Sequence, residues 1–202
     1  MNQGPATTIL VLVGSLRRGS INRQIAQAAI DQAPNPVRMR LFDGLGELPL
    51  YNEDVDTGDV VEPVAAFRAA AAEADALLVV TPEYHGSIPG WLKNAIDWLS
   101  RPYGRGPMSG KPAAVIGASL SRYGGVWAHD EARKSLGIAG LRIVESIRLS
   151  VPTRMLEGKH PAEDADLVRG PEAVLRRADH AEGAGGVALE VEHHVDQVLE
   201  HL

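Results

Sequence analysis

Three short segments concentrate the residues that could do chemistry, and each joins glycine to polar side chains. The first is Gly14-Ser15-Leu16-Arg17-Arg18-Gly19-Ser20-Ile21-Asn22, between an apolar run and a helical pattern. Glycines let the backbone turn tightly and present its N–H groups inward, and the helix start adds a positive dipole end. Ser15, Ser20 and Asn22 can donate hydrogen bonds, and Arg17 offers a bidentate fork. That set suits a phosphate dianion; the alternative is a glycine-rich turn carrying surface arginines. The spacing is that of a triphosphate loop, but Ser20-Ile21 replaces the lysine and metal-binding hydroxyl, which disfavours a magnesium triphosphate. There is no G-x-G-x-x-G for a dinucleotide, so a terminal monophosphate fits best.

The second segment is Thr81-Pro82-Glu83-Tyr84-His85-Gly86-Ser87-Ile88-Pro89-Gly90. Its two prolines and two glycines fix an irregular backbone that can offer main-chain groups to a planar ring edge, with Tyr84 and His85 as walls. His85 could equally be an exposed loop histidine, and Glu83 a surface carboxylate or a partner for a helix N-terminus. The third is Ser119-Leu120-Ser121-Arg122-Tyr123-Gly124-Gly125-Val126-Trp127, whose N–H groups would favour negative charge on a ligand. Cysteine is absent, which excludes thiolate catalysis, disulfides and Cys-based metal centres. Any redox chemistry must then sit on a bound organic cofactor.

The elements around these loops alternate. Ile9–Val13, Ala76–Val80 and Ala113–Ala118 are continuous apolar runs, expected in the middle of a parallel sheet covered on both faces. Val37–Leu41 and Leu141–Leu149 mix apolar residues with arginine or glutamate and read as edge strands. Helices are expected over 20–33 (capped by Ser20), 62–74, 89–100 and 127–139. The resulting β-α-β alternation, with central strands first, third and fourth, predicts a doubly wound five-stranded parallel sheet in the order 2-1-3-4-5. That α/β order is flavodoxin-like, with ligands held outside the carboxyl ends of the strands. All three polar segments fall there.

One domain is expected over 1–202, with its core at about 7–150 and a loop and C-terminal helical segment over 151–202. His193, His194 and His201 read as a solvated helix face, and no metal site is expected. On the helix 89–100, Leu92, Ala95, Ile96 and Leu99 form one stripe, and Trp91 and Trp98 line up about 100° to its side. Tryptophans there favour a homo-oligomeric interface, although a loop of the same chain could cover them.

Among the 202 residues, apolar types make up 45% and charged types 23%, ordinary for a globular protein, and the formal net charge is −6. A net acidic chain argues against sequence-independent nucleic-acid binding. No apolar run approaches the ~20 residues of a membrane span, and no targeting pattern is visible at residues 1–13, so a cytoplasmic location is expected.

With their flanks, these segments resemble the NADPH-dependent FMN reductase family of flavodoxin-like proteins, which includes bacterial quinone, chromate and azo-dye reductases. The resemblance is carried by GSLRRGSIN at 14–22, TPEYHGSIPGWLKNAIDWLSR at 81–101 and GAS...YGG at 117–125. It implies that Ser15, Arg17, Ser20, Ile21 and Asn22 hold the FMN phosphate. Pro82, Glu83, Tyr84, His85 and Gly86 would line the isoalloxazine ring, and Ser119, Gly124 and Gly125 would lie near its pyrimidine edge and the ribityl chain. His85 departs from the family, whose members often carry Asn there. The implied activity is an FMN-dependent oxidoreductase taking hydride from NADPH or NADH and passing two electrons to a quinone-like small molecule, as a homodimer or homotetramer. No catalytic side chain beyond the flavin is implied. An electron-carrier flavodoxin and a non-catalytic flavin-binding protein are the alternatives.

Overall fold

The computed structural model describes residues 7–33, 35–156 and 158–163. Strands β1 (Thr8–Val13), β2 (Arg38–Phe42), β3 (Ala76–Val80), β4 (Pro112–Ser119) and β5 (Arg142–Pro152) form one parallel sheet in the order β2-β1-β3-β4-β5. Between them run α1 (Ile21–Asp31), α2 (Glu62–Glu73), α3 (Gly90–Leu99) and α4 (Val126–Ile138). The three continuous apolar runs are the three central strands, and β3 and β4 are buried along their whole length. A strand without a solvated face has no need of alternation. The expected C-terminal helical segment and its histidines lie outside the described residues.

Alternate residues of β1 feed two apolar layers. Ile9, Val11 and Val13 pack with Ile25, Ala26 and Ala29 of α1. Leu10 and Leu12 pack with residues of α2, α3 and α4, including Phe67, Leu92, Trp98 and Leu136. Both β1 and β3 therefore end at one rim between these layers, and the first two polar segments start there.

Strand β5 runs to Pro152, beyond the Leu149 end expected from sequence, and it does not alternate cleanly. Its pairing with β4 jumps from Ala113↔Ile143 to Val115↔Arg148, a bulge that places several β5 residues against one step of β4. The buried Arg133 guanidinium reaches this bulge, donating to the carbonyls of Val115 (2.7 Å) and Ile147 (3.4 Å) and to Asp130 (2.9 Å). A buried cation needs such acceptors to offset its desolvation.

Helix α3 corrects one expectation. Trp98 is 1% exposed within this single chain. Its indole Nε1 donates to the Pro49 carbonyl at 2.8 Å, and Tyr51 meets the ring edge-on at 5.0 Å. Asn94 is also buried; its Oδ1 accepts from the Tyr51 N–H and its Nδ2 donates to the Pro49 carbonyl. The indole of Trp91 donates to the Gly14 carbonyl at 3.0 Å. Residues 48–51 thus cover the side of α3 that was expected to meet a partner. Lys93 and Asp97, paired at 2.6 Å, remain on the outer side.

Candidate cofactor site

The first polar segment is held tightly at both ends. Gly14 donates to the Val80 carbonyl at 2.8 Å, and a Cβ there would stand 2.2 Å from Thr81 Oγ1, so only glycine permits this approach of the two strand ends. Ser20 is the N-cap of α1, its Oγ accepting from the Arg23 N–H at 3.3 Å. Helix geometry leaves the N–H groups of Ile21 and Asn22 without intrahelical partners. No acidic residue occupies the first turn of α1, so the positive end of its dipole is not neutralised from within. Arg17 is exposed at the same mouth and has no carboxylate partner among the described residues.

Asn22 does something the sequence reading did not foresee. Its Nδ2 donates to the Ala118 carbonyl and its Oδ1 accepts from the Ala118 N–H, both at 2.8 Å. The side chain is buried and clamps the start of α1 to the end of β4. Its backbone N–H, rather than the amide, is what it offers to an anion.

In the second segment, Tyr84 and Ser87 exchange both backbone hydrogen bonds (2.9 and 3.0 Å) around His85 and Gly86. Both central residues have positive φ, 53° and 76°, so this is a tight two-residue hairpin of the type that favours Asn-Gly. His85 sits at the Asn position of that turn and is exposed at its tip. The Glu83 carboxylate turns toward α4, accepting from the N–H groups of Trp127 (3.2 Å) and Ala128 (3.3 Å). It is the helix N-terminus partner that the sequence left as an alternative.

The third segment enters α4 through Gly124 and Gly125, with φ of 67° and 99°. A Cβ on Gly124 would lie 2.5 Å from the Ser150 backbone, so this glycine admits β5 at close range. The Gly125 N–H donates to Ser121 Oγ at 3.1 Å. Beneath the segment lies His129, fully buried. Its Nε2 stands 2.9 Å from the Thr81 carbonyl and its Nδ1 2.6 Å from Ser150 Oγ. The carbonyl can only accept, which assigns the proton to Nε2 and leaves Nδ1 to accept from the serine. Burial lowers the imidazole pKa from 6.5 to about 4, against the opposing pull of the Thr81 carbonyl, so the ring is neutral at pH 7.

A cleft of about 290 Å³ opens where the three segments meet. Ser15, Arg17, Ser20, Ile21, Asn22, Pro82, Glu83, Tyr84 and Ser119 line it. His85 and Gly86 lie at the hairpin tip and Gly124 and Gly125 against β5, outside that lining. Ala118, Leu120 and Thr153 line it too and were missed. Ala118 and Leu120 flank a residue already singled out, whereas Thr153 follows a strand whose end the bulge obscures. The donor set fits a flavin monophosphate: hydroxyls, unpartnered N–H groups and a guanidinium gather at one end. The one carboxylate in the lining is turned onto α4.

Residues 7–154 match the family model described as NADPH-dependent FMN reductase. The chain belongs to that family. This FMN reductase chain is 48% identical to a 2-hydroxy-1,4-benzoquinone reductase of Burkholderia sp. over 128 residues, which is 63% of this chain and 69% of the relative. It is 46% identical to a quinone reductase of Pseudomonas putida strain KT2440 over 129 residues, 64% and 69% of the two chains. Among solved structures, the flavoenzyme NAD(P)H:(acceptor) oxidoreductase FerB from Paracoccus denitrificans matches with a TM-score of 0.72 and 31% identity, covering 96% of this chain and 98% of that one. The flavodoxin-like sheet order expected from the alternating elements and the family expected from the three loops are both found.

Proposed function

We propose that the protein is an FMN-dependent NAD(P)H oxidoreductase that reduces a quinone-like small molecule in the cytoplasm. The observation that carries this reading is the cleft itself: the open N-terminus of α1, Ser15, Ser20 and Arg17 face the same space as the Pro82–Tyr84 wall and Ser119. When bound, FMN supplies the hydride acceptance from NAD(P)H and the two-electron donation to the acceptor.

The chain's own groups bind and orient. Ser15, Ser20, the Arg17 guanidinium and the Ile21 and Asn22 N–H groups hold the phosphate dianion. The backbone of Pro82, Glu83 and Tyr84 would wall the ring, with His85 and Gly86 at the hairpin tip bordering it, and the Tyr84 side chain is braced edge-on by Trp91 at 6.0 Å. Ser119 would lie near the pyrimidine edge, and Gly124 and Gly125 let the third loop come close to β5. No side chain is assigned a proton-transfer role.

Relatives named as quinone reductases support the acceptor class. The need for intracellular NAD(P)H supports the location, and among the described residues no helix is long and apolar enough to cross a membrane. A homodimer or homotetramer through the 91–99 helix belongs to the same proposal. Its support is now the exposed Tyr103 and Ile138 beside Lys93 and Asp97, rather than the tryptophans.

The test is steady-state oxidation of NADPH by the FMN-loaded protein with 1,4-benzoquinone as acceptor. A single ring face used in turn by donor and acceptor gives parallel double-reciprocal lines. Failure to oxidise NADPH with the quinone, by protein that holds FMN, would reject the enzyme in favour of a carrier or a binding protein.

A further inference from the structure

One feature of the cleft mouth has no use in holding the flavin. Leu120 is 89% exposed, Tyr123 52% and Trp127 56%, and they stand together where the third loop enters α4. The Tyr123 and Trp127 rings meet at 5.6 Å, tilted by 62°. The Arg122 guanidinium lies 5.7 Å over the Tyr123 ring. Leu120 also lines the cleft, and the Trp127 ring comes within 4.0 Å of where a Cβ on Gly86 would stand. The patch therefore runs from the cleft to the tip of the second-segment hairpin. Exposed aromatic surface of this kind marks a place where something binds.

Charge narrows what that is. Arg23, Arg40, Arg68, Arg133 and Arg148 each pair with a carboxylate. Arg122 has no carboxylate partner among the described residues. The nearby acids are already engaged with backbone: Glu83 accepts from Trp127 and Ala128, and Glu131 from the Ile88 N–H. A guanidinium over one ring of an exposed aromatic pair, with no carboxylate partner among the described residues, fits a ligand with a flat base and a phosphate.

We propose that Arg122, with the rings of Tyr123 and Trp127, receives the 2′-phosphorylated adenosine end of the nicotinamide co-substrate and so selects NADPH over NADH. The proposal rests on the reading of the cleft as a flavin site served by NAD(P)H. The adenine lies on the aromatic pair, and the 2′-phosphate, which NADH lacks, meets the guanidinium. The patch borders the cleft, so a dinucleotide with its nicotinamide over the ring leaves in this direction.

The experiment is calorimetric titration of the FMN-loaded protein with adenosine 2′,5′-bisphosphate and with 5′-AMP, followed by kcat/KM for NADPH and NADH. The wild type binds the bisphosphate at least about 10-fold more tightly, as one charge-assisted phosphate contact allows. Arg122→Ala removes that preference and lowers kcat/KM for NADPH about 10–100-fold, with a much smaller effect on NADH. Trp127→Ala weakens both adenosine nucleotides alike. Arg105→Ala, a substitution of another exposed arginine, leaves the preference in place. Equal affinity for the two nucleotides in the wild type would overturn the proposal, and so would a preference that survives Arg122→Ala. If the binding preference depends on Arg122 yet NADPH is not oxidised, the selectivity inference stands and the enzyme reading falls. If NADPH is oxidised and the NADPH/NADH ratio ignores Arg122, the inference alone falls.

Discussion

The imidazole of His129 donates from Nε2 to the carbonyl of Thr81 at 2.9 Å, at the point where β3 gives way to the loop that walls the cleft. Two residues further along that loop, Glu83 returns the contact by accepting from the first turn of α4, immediately before His129. These three bonds form a reciprocal clamp between the second loop and α4. Asn22 and Ala118 make a similar two-way clamp between α1 and β4. The cleft is thus framed by side-chain-to-backbone contacts, those of His129 and Asn22 buried.

The His129 clamp makes stability depend on pH. In the unfolded chain the imidazole titrates near 6.5, whereas burial lowers it to about 4 in the folded protein. As pH falls the unfolded state takes up the proton first, so this stabilisation is complete above 6.5 and is lost between 6.5 and about 4. At pH 4.5 the loss amounts to about 2–3 kcal/mol. Urea unfolding at pH 7 and pH 4.5 checks it: the stability gap between wild type and His129→Gln should narrow by about that amount. A gap that stays constant would mean that His129 is not held neutral.

Asn22→Ala should destabilise the fold by ~2–4 kcal/mol, because it leaves both the N–H and the carbonyl of Ala118 buried without partners. For a chain of this length that lowers Tm by about 10 °C. A thermal scan in which Asn22→Ala melts within about 2 °C of wild type would show that water replaces the clamp.

Glu83→Gln keeps an acceptor at the α4 N-terminus but removes the charge that favours the dipole, costing ~0.5–1 kcal/mol. With its carboxylate facing α4, FMN affinity should change by less than about twofold. Fluorescence titration with FMN separates the two roles, and a loss beyond about tenfold would make the carboxylate a ligand contact.

Trp98→Ala should cost ~3–5 kcal/mol, as for a large buried ring, and act on the fold of each chain. Light scattering combined with urea unfolding distinguishes this from loss of an interface. Dissociation to 21.6 kDa chains of undiminished stability would return Trp98 to a subunit contact.

Local pattern carried the sheet order and the three loops, because buried parallel strands and glycine-bearing turns leave signatures within a few residues. The misplaced side of α3 shows the limit. Helical periodicity put Trp91 and Trp98 beside the core stripe correctly, but what covers Trp98 comes from Pro49 and Tyr51, more than a helix away in sequence. The roles of Asn22 and His129 were illegible for the same reason, since each is defined by a backbone group 48 to 96 residues distant, whereas Glu83 could be read only as one alternative because its helix lies 44 residues away. The end of β5, and with it Thr153 in the cleft, was hidden by a bulge that no alternation of apolar residues could reveal.

Equilibrium titration of the flavin-free chain with FMN and with riboflavin tests the central claim, that the α1 N-terminus with Ser15, Arg17 and Ser20 seats a terminal phosphate. The two ligands share the ring and the ribityl chain and differ only in that group. FMN should bind at least about 100-fold more tightly, and Arg17→Ala should weaken FMN by ~1–3 kcal/mol while leaving riboflavin unchanged. Equal affinity for the two, or a chain that takes up neither, would contradict it.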